Sequence, residues 1–291
     1  MTKKIISLLR VKQWIKNLFV FVPLLFSRHL FEAEYSLKVL IGFLVFSFVS
    51  SIVYILNDIS DVESDRQHPK KKNRAIASGA ISVDLAYKFL VVIAMGIAIL
   101  IPYCGVEFAV IAFIYLVINF FYSKKLKNIV LLDVFCIAAG FMLRVISGGV
   151  IISVYISSWL ILTTMFISLF LAIMKRRSEL EVVKDENTAP TRKVLTEYTV
   201  DFADQIATIT AAGVMICYAL YTVSERTVKA FGTENLIYTT PFVAFGIFRY
   251  MFLVRKYNGE DTAEILVTDR QMIVNIICYL IATVLIIYKL K

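Results

Sequence analysis

About nine apolar runs, each long enough to cross a hydrocarbon core of roughly 30 Å, constrain this chain more than anything else in it. They fall near residues 12–31, 36–56, 83–104, 106–123, 129–151, 155–174, 201–223, 237–255 and 270–288. A chain that is 59% hydrophobic and 18% charged is far from the composition of a soluble globular domain. Lipid offers no partner to a backbone N–H or C=O, so a spanning segment must be a helix or part of a closed barrel. These runs are too long and too continuously apolar for the alternating strands of a barrel. The expected fold is therefore all-α, a polytopic bundle of about nine transmembrane helices. Pro23 and Arg28 interrupt the first run, which makes it the weakest span. No small-residue cleavage site follows it, so the first helix is expected to be retained.

Lys and Arg in the connections set the orientation. With the N terminus in the cytoplasm, Lys3, Lys4, Arg10, Lys12 and Lys16, the 66–74 cluster, Lys124, Lys125 and Lys127, and the 175–193 cluster all fall inside, and few basic residues fall outside. The net charge of +9 is then a topology signal, with added attraction to anionic headgroups or phosphorylated substrates, and not a sign of nucleic acid. The expected location is a multi-pass protein of the cell membrane, with the lipid bilayer as its solvent. Cys104, Cys136, Cys217 and Cys278 are scattered one per apolar segment, and His29 and His68 form no ligand pair. Neither a disulfide framework nor a transition-metal site is indicated. Residues 1–291 read as a single integral membrane domain whose two long cytoplasmic loops, 57–82 and 175–200, hold most of the polar chemistry.

The densest polar chemistry follows the second run, in YILNDISDVESDRQHPKKKNRAIASG, residues 54–79. If the helix continues through it, Asn57, Asp61 and Asp65 recur every four residues and Asp58 stands three before Asp61, so all four share one face. Three carboxylates and an amide on one face repel unless a cation sits among them. Hard oxygen ligands select Mg²⁺, usually completed by substrate phosphate oxygens. Lys70, Lys71, Lys72 and Arg74 follow, placed to hold phosphate oxygens beyond the metal. An acidic helix end before a basic topogenic loop is the plainer alternative. Phasing to one face at the edge of an apolar span favours the functional one.

Asn57, Asp58, Asp61 and Asp65 complete the pattern N-D-x-x-D-x-x-x-D, and with it the chain resembles the UbiA superfamily of intramembrane prenyltransferases. The resemblance implies a nine-helix bundle around a central cavity open sideways to lipid, with Mg²⁺ bridging the carboxylates to a diphosphate. Aromatic prenyltransferases of the family carry a second acidic motif in the loop after the sixth helix. Here that place reads MKRRSELEVVKDENTAPTRKVLTEYT, residues 174–199, and the motif is absent in that form. A basic second wall suits a phosphate bound directly by side chains, with Lys175, Arg176 and Arg177 leading. Together with RVKQWIKN (10–17), DRQHPKKKNRAIASG (65–79), YSKKLKNIVLLDVFCIAAGFMLRVISGG (122–149) and KRRSEL (175–180), this is similar to the decaprenyl-phosphate phosphoribosyltransferase branch.

The resemblance implies Mg²⁺-dependent transfer of 5-phosphoribose from phosphoribosyl diphosphate to a polyprenyl phosphate, with Asp58, Asp61 and Asp65 at the reaction centre. It leaves room for a homo-oligomer. The alternative is prenyl transfer from a prenyl diphosphate to an aromatic or other acceptor. A cation carrier is a third reading, but such sites lie near the bilayer midplane on broken helices, and these carboxylates end a span. Lys16, Lys70, Lys72, Arg74, Lys124 and Arg144 join the 175–177 cluster as candidate phosphate-binding residues. Arg144 lies inside the fifth run, where an unpaired charge costs at least roughly 2.5 kcal/mol, so it is expected to face the cavity or a partner.

Overall fold

The computed structural model describes residues 2–67, 71–186, 193–257 and 268–289, and no strand occurs among them. Among the described residues twelve α-helices follow one another: α1 Thr2–Leu8, α2 Val22–Leu25, α3 Ala33–Ser60, α4 Val62–Gln67, α5 Val83–Leu100 and α6 Val106–Lys124, then α7 Leu132–Ile151, α8 Ser158–Glu186, α9 Val200–Val223, α10 Glu225–Phe231, α11 Thr240–Lys256 and α12 Arg270–Tyr288. Among the described residues eight of these, α3, α5–α9, α11 and α12, are long and apolar enough to cross a membrane. Their outer faces stay apolar: Val91, Val92, Met95 and Ile99 on α5 are more than half exposed. In water such a stripe would be an association site, and in lipid it is the ordinary surface of a span.

The first apolar run is not the single α-helix expected of a span. It forms a 3-10 helix over Val11–Phe21, then the single turn α2 with Pro23 in its first turn. Arg10 and Arg28 on either side adopt left-handed backbone, with φ of 50° and 67°. A 3-10 helix has about three residues per turn, so residues three apart stack on one face. Trp14, Asn17 and Val20 form that face. Asn17 and Val20 are fully buried, and the Trp14 indole N–H donates to Ser51 Oγ on α3 at 3.1 Å.

Two compact units divide the chain. One comprises Met1–Lys124 with Leu143–Tyr155, and the other Lys125–Met142 with Ile156–Lys291, so α7 contributes its first half to the second unit and its later half to the first. Within the first unit α3 is central, packed against the 3-10 segment, α5 and α6. Without a hydrophobic driving force between helices in lipid, close packing and hydrogen bonds hold such a unit together, and small residues set how near the backbones come. Gly148 shows the limit: a Cβ there would lie 2.0 Å from the Val20 carbonyl oxygen. Because the obstacle is backbone, no rotamer relieves it. Gly148→Ala is expected to destabilise the protein by about 3 kcal/mol, read as a lowered melting midpoint in detergent. An unchanged midpoint would show that this contact is not kept in solution.

In the second unit α8 and α9 form the main antiparallel pair, with α11 packed on both and α12 on α11. Phe170, Ile173, Met174, Val214, Leu253 and Val254 fill the space between them. Polar caps start the helices: Thr199 accepts from Phe202 N–H and Asp269 from Met272 N–H. Arg249 reinforces the latter by chelating Asp269 at 3.1 and 2.7 Å, which holds that carboxyl below its usual range. Residues 175–186, expected to begin a loop, instead extend α8 by three further turns. Hydropathy ends at Met174, but Arg176–Glu179 and Arg177–Glu181 pair along the helix and sustain it in a polar setting.

Candidate active site

The acidic segment sits where α3 stops. Helix α3 ends at Ser60, and Asp61 is its C-terminal cap with φ −102° and ψ 10°. Backbone bonds still link Asn57 to Asp61 at 2.9 Å and Asp61 to Asp65 at 2.8 Å, so the chain turns onto α4 with little loss of phase. The expected single face is nevertheless split. Asp58 and Asp65 are buried at 3% and 2% exposure, whereas Asn57 and Asp61 are only half-buried. Asn57 and Asp58 are neighbours on α3, about 100° apart around its axis, and Asp58 is the one turned to Arg10 and Arg74.

Two arginines hold the buried pair. Arg10 forks onto Asp58, its Nε donating to Oδ2 at 3.3 Å and its Nη2 to Oδ1. The Arg10 guanidinium also lies 5.0 Å from the Tyr54 ring centroid. Arg74 Nη1 donates to Asp65 Oδ2 at 2.5 Å and to Asp58 Oδ1 at 3.2 Å. Buried carboxylates carry a large desolvation cost, and charge-assisted bonds of this kind offset it. The loop that brings Arg74 back is closed by Arg66 Nε donating to Ala77 O at 3.3 Å and by a turn at Gly79, whose φ of 73° a side chain would resist. Asp61 makes no ion pair among the described residues.

The donor set is carboxylate and amide oxygen, the chemistry a hard divalent cation requires. No three acidic, His or Cys side chains converge in metal-binding geometry among the described residues. Two of them do share one positive nitrogen, Arg74 Nη1, which stands in for a cation between Asp58 and Asp65. The Asp58 and Asp65 carboxylates therefore fit such an ion.

A second polar system lies deeper in the same unit. Asn17 Nδ2 donates to Ser47 and Ser50 Oγ, both at 3.1 Å, and Asn17 Oδ1 accepts from Arg144 Nε at 2.7 Å. Arg144 Nη2 donates to the Tyr115 hydroxyl at 2.9 Å, and its guanidinium lies 4.8 and 5.4 Å from the Tyr115 and Phe46 ring centroids. Arg144 is thus buried in a built cradle, and cation–π contacts add to its hydrogen bonds.

Arg176 is 1% exposed and bonds Asp133 Oδ2 at 2.6 Å and Glu179 at 2.7 Å. Arg177 bonds Asp204 and Glu181. Both point into carboxylates rather than to the surface. Lys72, Lys124 and Lys175 are exposed and Lys16 half-buried, with Lys124 Nζ 4.4 Å from the Phe120 ring centroid. Lys70 lies outside the described residues. Sequence reasoning missed Arg10 as a partner of Asp58, and missed the serines of α3. The available signal was the clustering of Arg10, Trp14 and Asn17 in one short segment.

Residues 19–277 match the model of the UbiA prenyltransferase family. A decaprenyl-phosphate phosphoribosyltransferase of Corynebacterium glutamicum is 32% identical over 97% of this chain and 86% of its own length. One of Mycolicibacterium smegmatis is 33% identical over 76% of this chain and 70% of its own. Among solved structures, a UbiA homolog from Archaeoglobus fulgidus bound to GPP and Mg²⁺ superposes with a TM-score of 0.72 at 17% identity, covering 98% of this chain and 99% of that one.

Proposed function

The chain belongs to the UbiA prenyltransferase family and is a multi-pass membrane transferase, and from that premise we propose that it moves 5-phosphoribose from phosphoribosyl diphosphate to a polyprenyl phosphate, releasing diphosphate. The observation that carries the reading is the similarity, over nearly the whole of both chains, to a decaprenyl-phosphate phosphoribosyltransferase. The sequence at 174–199, which lacks the second acidic motif of the aromatic prenyltransferases, supports it.

Asn57, Asp58, Asp61 and Asp65 would hold Mg²⁺, an ion that a solved UbiA homolog binds together with GPP. When bound, the ion offsets the charge that builds on the departing diphosphate. Arg10 fixes the Asp58 carboxylate in one orientation, so little reorganisation accompanies the reaction. A lipid phosphate oxygen attacks the anomeric carbon as the bond to diphosphate breaks. That phosphate is already ionised at neutral pH, so no residue need act as general base. Lys72 and Arg74 on the acidic segment, with Lys16 and Lys124, are the basic side chains assigned to phosphate oxygens. The N terminus and the acidic segment lie on the cytoplasmic side of the cell membrane, the orientation that the distribution of Lys and Arg favours.

Purified protein with Mg²⁺, labelled phosphoribosyl diphosphate and a polyprenyl phosphate is expected to yield lipid-extractable label. A parallel tube with labelled prenyl diphosphate and an aromatic acid is expected to yield no prenylated acid. Product only in the second tube would replace this reading by prenyl transfer.

A further inference from the structure

We propose that Arg74 is a place-holding cation, bridging Asp58 and Asp65 when the site is empty of metal and transferring its guanidinium to diphosphate oxygens when metal and diphosphate enter together. The proposal rests on the reading of residues 57–74 as a metal–diphosphate site and says how that site is regulated. Asp58 Oδ1 receives two donors, Arg10 Nη2 and Arg74 Nη1. A carboxylate oxygen has two lone-pair directions, so both are taken. A divalent ion cannot bind that oxygen without displacing one guanidinium.

Geometry selects which of the two leaves. Arg10 makes a two-pronged contact with one carboxylate and is backed by the Tyr54 ring. Such forks are preorganised and lose little on formation. Arg74 instead divides a single nitrogen between two carboxylates, with no ring behind it in the described contacts. Once released it remains one side-chain length from the carboxylates, beside Lys71 and Lys72, where an arriving diphosphate needs cations.

The exchange couples two ligands. Bare metal must displace Arg74 without return, so its affinity is reduced. With diphosphate present the displaced guanidinium gains new acceptors, so each ligand raises the other's affinity by the same factor. The device therefore keeps the acidic pair neutral and compact between turnovers, and favours the metal arriving with its diphosphate.

The test uses full-length protein in detergent, with thermal melting followed against Mg²⁺ concentration, with and without inorganic diphosphate, for wild type, Arg74→Gln and Arg74→Lys. Without ligands Arg74→Gln should melt below wild type, because Asp58 and Asp65 are then less well neutralised. Its half-saturating Mg²⁺ concentration in the absence of diphosphate should be lower than that of wild type by about tenfold or more. Inorganic diphosphate should lower the wild-type value strongly and the variant's much less. Arg74→Lys keeps the charge without the planar fork and should fall between; should Arg74→Gln not fold, Arg74→Lys carries the same comparison with a smaller shift. A variant whose Mg²⁺ requirement equals or exceeds that of a responsive wild type overturns the proposal alone. Absence of any Mg²⁺ effect on wild type, with or without diphosphate, overturns the metal-site reading and the proposal with it.

Discussion

Asp58→Asn is expected to lower phosphoribosyl transfer by about a hundredfold or more while leaving a folded protein. Asp58 is the residue on which both arginines converge, and it lies at the buried end of the acidic segment. An amide of the same shape keeps the packing and removes the charge that would hold the metal and fix Arg10. The structural cost is limited because the Arg10 and Arg74 side chains are 22% and 28% exposed, so water can replace part of what they lose. Arg74 also keeps Asp65. The measurement is label transferred from phosphoribosyl diphosphate to lipid, with a melting curve as the control for folding. Undiminished turnover in a well-folded variant would remove Asp58 from the reaction centre.

Arg176→Met is expected to destabilise the protein by about 3–5 kcal/mol. Asp133 is fully buried, and Arg176 Nε and the Tyr198 hydroxyl are its hydrogen-bond donors at 2.6 and 2.9 Å. The same hydroxyl accepts from Leu131 N–H at 3.0 Å, and burial raises the Tyr198 pKa. Without Arg176 a buried carboxylate is left with one neutral donor, and the desolvation of the charge is no longer offset. The double variant Arg176→Met with Asp133→Leu should recover most of the loss, because both charges are then gone together. That rescue separates a structural pair from a phosphate-binding role. If the double variant melts like wild type but binds polyprenyl phosphate poorly, Arg176 reaches substrate after all.

Where helices begin and end was legible wherever apolar length alone decides. The expected runs 106–123, 201–223 and 270–288 fall almost on α6, α9 and α12. Two segments were not legible for the same reason, that hydropathy sums composition and is blind to backbone period. Residues 12–31 are apolar enough to read as one α-helix, yet a face built every three residues around Trp14, Asn17 and Val20 makes Val11–Phe21 a 3-10 segment. Residues 175–186 are polar enough to end a helix, yet ion pairs at helical spacing continue it. In the acidic segment, spacing revealed the carboxylates because they are local to one another. Arg10 was hidden as their partner, since it lies 48 residues from Asp58 and only the folded chain brings them together.

The 3-10 segment also fixes how the entry to the protein can change in length. One inserted residue turns everything beyond it by about 120° in a 3-10 helix. Between Trp14 and Asn17 that would leave the indole on Ser51 while swinging the Asn17 amide away from Ser47, Ser50 and Arg144. Three inserted residues restore the facing but lengthen the segment by about 6 Å, carrying the Val20 carbonyl off the bare backbone of Gly148. Insertions and deletions are therefore excluded here by two independent gauges, one of rotation and one of reach, and homologous chains that keep both contacts should align across residues 14–20 without a gap.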